Sequence, residues 1–123
     1  DISYLKKFKG SEVINGKVLN LMLEESSNSI IIVREDFTIE GISKNAEYLI
    51  GINKDNVQGM FIWDIFFGNK KIKDFMNYVF KDNDDKEIKT FNTVAVNTKI
   101  NINMRVKLIN DSSTENKKVI IYL

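Results

Sequence analysis

Residues Ser29–Phe66 read SIIIVREDFTIEGISKNAEYLIGINKDNVQGMFIWDIF, and the order of signals within them decides the fold. Ile30-Ile31-Ile32-Val33 is β-branched throughout, which favours a strand because such side chains pack well on a pleated surface. Glu35-Asp36 make a polar turn, and Phe37 to Ile42 return as a second strand. Ser43 then stands at the N-cap of a helix, where its hydroxyl can accept from the free N–H groups of the first turn. Ala46, Leu49 and Ile50 follow at helical spacing, and Gly51 sits where a left-handed C′ residue ends a helix. Asn53 or Asp55 can cap a further short turn ending at Gly59. The stretch closes on an apolar knot that holds the single tryptophan, Trp63.

Downstream, Lys70–Phe80 has the clearest helical period in the chain. Ile72, Phe75, Met76, Val79 and Phe80 fall on one face, with lysines and asparagines on the other. A charged loop, Asp82 to Lys86, precedes three strands. Ile88–Val96 is the least regular, with Phe91 and Ala95 on the side opposite Ile88, Val94 and Val96. Ile100, Ile102, Met104, Val106 and Leu108 alternate with Asn101, Asn103, Arg105 and Lys107, which predicts one face on a core and the other in water. Val119–Leu123 is the last strand.

Upstream, Asn15-Gly16 between two apolar pairs is formally a hairpin signal. VLNLMLEE lacks period-two alternation and is rich in helix formers, so a helix over about 17–26 is favoured, with Ile14, Val18, Leu21 and Met22 on one face. The resulting fold is α+β: a five-stranded antiparallel sheet with short helices and one longer helix on one face, plus a flanking N-terminal helix. Residues 1–26 form the flanking segment and 27–123 the core domain.

Composition removes many chemistries. The 123 residues contain no cysteine, histidine or proline. A disulfide framework is therefore impossible, and a cytoplasmic setting is expected. Thiolate adducts, imidazole- or thiolate-bound haem, structural zinc and histidine-based triads all lack their usual ligand or base. No phosphate-binding glycine loop appears, since the glycines are scattered singly. The acidic cluster Asp82, Asp84, Asp85 and Glu87 is flanked by lysines and lacks the ligand order of a calcium loop, so it reads as a solvated turn. No catalytic residue, metal or cofactor is expected. A net charge of +1 offers no global field for nucleic acid, and no apolar run is long enough to span a membrane. Opening on Asp1 without a signal pattern, the chain reads as a piece of a longer polypeptide.

FTIEGISKNAEYLIG resembles the second strand of a PAS domain followed by that family's N-x-x-A-E-x-L-x-G helix. Ala46-Glu47 take the central pair and Gly51 the glycine. Ser43 stands where the family more often has asparagine. VQGMFIWDIF is similar to the family's glycine-then-apolar segment, with Gly59 and a closing Phe66. The resemblance covers about residues 17–123; a GAF-like module would fit the element order poorly. It implies a non-catalytic sensory or regulatory module of a bacterial signalling or transcription-regulatory protein, of the kind found in two-component systems. Its output domain would lie in the same polypeptide.

Two sites follow. A ligand pocket, if open, lies between the sheet and helix 70–80, with Ile32, Ile39, Leu49 and Ile65 as candidate lining. Phe75, Met76, Val79, Ile102 and Met104 complete that lining, and Trp63 offers a stacking surface. Such a pocket would take a small apolar or aromatic molecule, because a charged ligand would be buried unpaired. The alternative is a core filled by its own side chains. The second site is a homodimer interface built from Ile14, Val18, Leu21 and Met22, received by Phe91, Ala95 and other positions on the outer face of the sheet.

Overall fold

The computed structural model describes residues 13–14, 23, 27–81, 87–111 and 117–123. In chain order its elements begin with β1 (Val13–Ile14), β2 (Ile30–Arg34) and β3 (Ile39–Ile42). Three short helices follow: α1 (Lys44–Ile50), α2 (Lys54–Val57) and α3 (Ile62–Ile65). The long helix α4 (Asn69–Lys81) leads into β4 (Lys89–Val94), β5 (Asn101–Asp111) and β6 (Lys117–Tyr122).

Five strands form an antiparallel sheet in the spatial order β4-β5-β6-β2-β3. The two-residue β1 runs parallel to the far end of β5, pairing Val13 with Asn110. The fold is thus the expected α+β sheet with helices, and α4 spans 69–81 where the periodicity predicts 70–80.

Alternation along the strands separates two faces. The inner face carries Ile31, Val33, Met104, Val106, Val119 and Ile121, all fully buried in one core with Ile72 and Met76 of α4. The outer face is not in water as β5 alone suggests. Ile30, Ile32, Ile109 and Ile120 are also fully buried, and Lys107 is only 3% exposed. The reason lies in β2 and β6, whose apolar runs are unbroken: a strand covered on both sides loses its alternation. Exposure persists at the other end of this face, at Asn101 and Asn103 of β5 and Asn92 of β4. Leu23 lies over this face too. A Cβ built on Gly41 would come within 2.8 Å of Leu23 Cδ1, so a larger residue there would make the end of the leucine side chain shift.

Three local expectations are corrected. Phe37 belongs to the β2–β3 turn, not to the second strand, with a left-handed φ of 72°. Ile100 precedes β5 and is 40% exposed instead of joining the core row. Ser43 occupies the N-cap of α1, but its side chain makes no cap hydrogen bond. Its hydroxyl instead accepts from Ile30 N–H (2.8 Å) and donates to the Asn28 carbonyl (2.8 Å), tying the end of β3 to the start of β2. A fully buried hydroxyl with two backbone partners does more there than a cap exposed to water.

Ser43→Ala is accordingly expected to cost about 1–3 kcal/mol, because the buried Ile30 N–H loses its hydroxyl acceptor. The urea midpoint at constant slope measures it. Loss of a helix cap alone would instead leave Ser43→Asn close to wild type, whereas a larger side chain in this buried site should destabilise.

Gly51 does serve as the left-handed C-cap, with φ 72° and its N–H bonded to Glu47 O. Asn53 caps α2, accepting from Asn56 N–H at 3.0 Å.

Candidate functional site

The long helix α4 positions the centre of the expected pocket. Ile72, Met76, Val79 and Phe80 point into the core at i, i+4, i+7 and i+8, facing Ile102, Met104, Val106 and Leu108 of β5. Ile39 and Ile65 close the same space from β3 and α3. Ile39, Ile65, Met76 and Met104 expose no surface at all, so no water-sized void touches them. The space between helix and sheet is filled by its own side chains along this row.

Two candidates fall elsewhere. Ile32 lies on the outer face, opposite Ile120 and Gly41, because its neighbours Ile31 and Val33 take the inner positions. Leu49 is half-buried outside the core; α1 sends Ala46 and Ile50 inward instead. The carbonyl of Leu49 accepts from Thr98 Oγ1 at 2.7 Å, and Gly51 O accepts from Asn97 Nδ2 at 3.2 Å. The β4–β5 turn thereby satisfies the free carbonyls at the end of α1.

The rim of the core is aromatic. Phe75 of α4 stacks on Phe91 of β4 at 4.8 Å between ring centroids, closing the β4 side. Phe91 therefore faces inward, as does the fully buried Ala95, and neither belongs to the outer face. The cross-strand register dictates this, since Phe91 lies opposite the core residue Met104. Ile14 sits in β1 and not on a helix. Val18, Leu21 and Met22 lie outside the described residues, as does most of the flanking segment 1–26.

On the far side, Trp63 stacks on Phe61 (4.8 Å, 5° between planes) and meets Phe37 at 5.5 Å. Lys73 Nζ stands 5.8 Å from the Trp63 ring. The apolar knot Phe61–Phe67 divides as sterics require. Ile62, Ile65 and Phe66 go inside, while Phe61 and Phe67 stay 42% and 47% exposed. Asp64 reaches back to accept from Phe61 N–H at 3.1 Å and fixes the start of α3.

Among the described residues, open grooves lie outside the core. One, of about 590 Å³, is lined by Glu40, Lys44, Glu47, Lys54 and Asp55 beside β3, α1 and α2. Its mixed charges suit no apolar molecule. Another, about 430 Å³, runs over Asn92, Val94, Asn101 and Asn103 at the β4–β5 hairpin. Sequence reasoning gave no sign of either, since each depends on how neighbouring elements pack. Among the described residues no three His, Cys, Asp or Glu side chains converge as metal ligands. None of the described helices is long and apolar enough to cross a membrane.

One carboxylate has a resolved electrostatic shift. The Thr38 hydroxyl and then the Thr38 N–H donate to Asp36 and hold its pKa below the ordinary 3.8. A depressed folded-state pKa adds stability that is complete above the unfolded value and lost as pH falls through the lower folded one. Asp36→Asn should therefore flatten the acid limb of the stability–pH curve below about pH 4. Urea midpoints of both proteins between neutral pH and pH 3 check it; parallel curves would show that the turn holds without the charge.

No protein-family model matches the sequence, and no curated protein matches it. Solved structures do resemble its fold. The PAS domain of an HTR-like protein from Haloarcula marismortui superposes with a TM-score of 0.62 at 16% identity, covering 86% of this chain and 92% of that one. A domain of a sensory box sensor histidine kinase/response regulator from Geobacter sulfurreducens gives 0.63 at 9% identity, covering 86% and 90%. The PAS domain of the Cronobacter turicensis RpfR quorum-sensing receptor, in complex with BDSF, gives 0.57 at 12% identity, covering 80% and 93%.

Proposed function

We propose that this chain, which folds as a PAS-like domain, is a non-catalytic sensory and regulatory module of a larger bacterial signalling or transcription-regulatory protein. It transmits its signal through homodimerisation and through the flanking segment 1–26, in the cytoplasm, to an output domain in the same polypeptide.

The observation that carries this reading is the second apolar face of the sheet. Ile30, Ile32, Ile109 and Ile120 bury there in addition to the core on the α4 side, and Leu23 of the flanking segment lies against Gly41. Leu23 is thus one sheet away from the core. Both layers share the strands β2, β5 and β6, so a shift in strand twist is felt on both sides.

Sedimentation of wild type and of Val18→Asp plus Met22→Asp tests the proposal. The wild type should be a dimer. The double variant should be a monomer with an unchanged circular dichroism spectrum. A variant that remains dimeric removes the flanking segment from the interface.

A second reading is a receptor for a small apolar molecule held between α4 and the sheet. Met76 and Met104 favour it: both are fully buried there, and unbranched thioether chains can repack around a guest. Phe75 and Phe91 are the rings that would have to part. A stoichiometric molecule released on denaturation would establish it.

A further inference from the structure

The turn between β2 and β3 contains an aromatic residue in a conformation suited to glycine. Phe37 has φ 72°; among the described residues only Lys99 and three glycines share the left-handed region. For an L residue this crowds Cβ against the following carbonyl, so a bulky side chain there is an outlier that its surroundings must enforce.

The enforcement is visible. Phe37 N–H donates to Arg34 O (2.9 Å), and Phe37 O accepts from Ile62 N–H (2.9 Å). Asp36 accepts from Thr38 N–H (3.0 Å) and clamps the turn. The left-handed backbone delivers the ring between Trp63 of α3 (5.5 Å, 54°) and Phe80 at the end of α4 (5.9 Å, 64°). The ring is only partly buried and packs against the core from its rim. Three elements distant in sequence therefore meet on one strained residue.

Strain and packing oppose each other here. With the ring inside, the backbone is strained and the aromatic contacts are made. With the ring outside, the turn relaxes to a negative φ and a slot the width of a phenyl ring opens between Trp63 and Phe80. Its tilted walls suit the edge-to-face contacts that aromatic groups prefer. We propose that Phe37 is a built-in occupant of this slot, and that the β2–β3 turn is a gate that vacates it for a planar, uncharged aromatic group. The slot lies at the turn, α3 and the end of α4, apart from the Met76–Met104 row, so it stands independently of the receptor reading.

Trp63 is the only tryptophan, so 5-fluorotryptophan gives one ¹⁹F reporter in the wall of the slot. Wild type should show exchange broadening by relaxation dispersion. Phe37→Gly, which removes both ring and strain, should give a single sharp resonance. Toluene, the excised side chain, should shift that resonance and raise the melting temperature of the variant. Wild type should need about tenfold more toluene, or more still, for the same shift, because the closed gate lowers apparent affinity by its open fraction. Phe37→Asn, which tolerates the left-handed region, should behave like the glycine variant. A flat wild-type dispersion profile, variants indifferent to toluene, or equal toluene affinity in all three proteins would each overturn the proposal. If neither variant folds, the wild-type profile decides.

Discussion

Phe66→Ala is expected to lower stability by about 3–5 kcal/mol, the range for emptying a fully buried aromatic position. Phe66 exposes no surface and bridges to Ala95, which is equally buried. It joins the end of α3 to the β4 side of the sheet. With a urea slope of about 1–3 kcal/mol per molar, the midpoint should fall by about 2 M. Against a total stability of about 5–15 kcal/mol, the variant would be close to unfolding. Phe67 is the control one residue away. Being 47% exposed, it should change stability by only about 0.5 kcal/mol on truncation. Similar losses at the two positions would mean that the chain enters α4 facing the wrong way.

Ile32→Asp has the second-largest expected effect, and it tests the outer face. A carboxylate placed where Ile32 is fully buried must be desolvated without a partner. The loss should reach several kcal/mol and grow as pH rises above the carboxylate range, since the charged form is penalised more than the neutral one. Asn103→Asp lies on the same face of the sheet at its exposed end and should be nearly neutral. A pair of thermal melts at neutral pH separates the cases. Were Ile32→Asp as mild as Asn103→Asp, the outer face would be open to water and the proposed coupling to the flanking segment would fail.

Much of this architecture was legible because its signals are local. The helix α4 announces itself by spacing, and its buried residues are those that its period selects. Gly51 ends α1 because a left-handed residue needs no Cβ, a property visible in any sequence. β2 and β6 were recognisable as strands, yet their unbroken β-branched runs also meant burial on both faces, a consequence the alternation of β5 concealed.

The misplacements share one cause. Phe91 and Ile32 lie in strands, and Ala95 in a bridge just after β4, whose existence was clear but whose facing depends on register with a distant partner. A shift of one residue exchanges the two faces. Ser43 shows the same limit on a smaller scale. Its local role as a cap was plausible, but Ile30 and Asn28, remote in the chain, claim the hydroxyl first. Phe37 is the converse case: a turn there was readable from Glu35-Asp36, but not that an aromatic ring would accept a left-handed backbone to reach Trp63 and Phe80.

Native mass spectrometry of freshly purified protein tests the central claim most directly, because it reports oligomeric state and bound mass together. A core filled by Ile39, Ile65, Met76 and Met104, in a module that signals through its flanking segment, predicts a dimer of bare polypeptide mass. A monomer, or a dimer carrying a stoichiometric small molecule lost on denaturation, would contradict it.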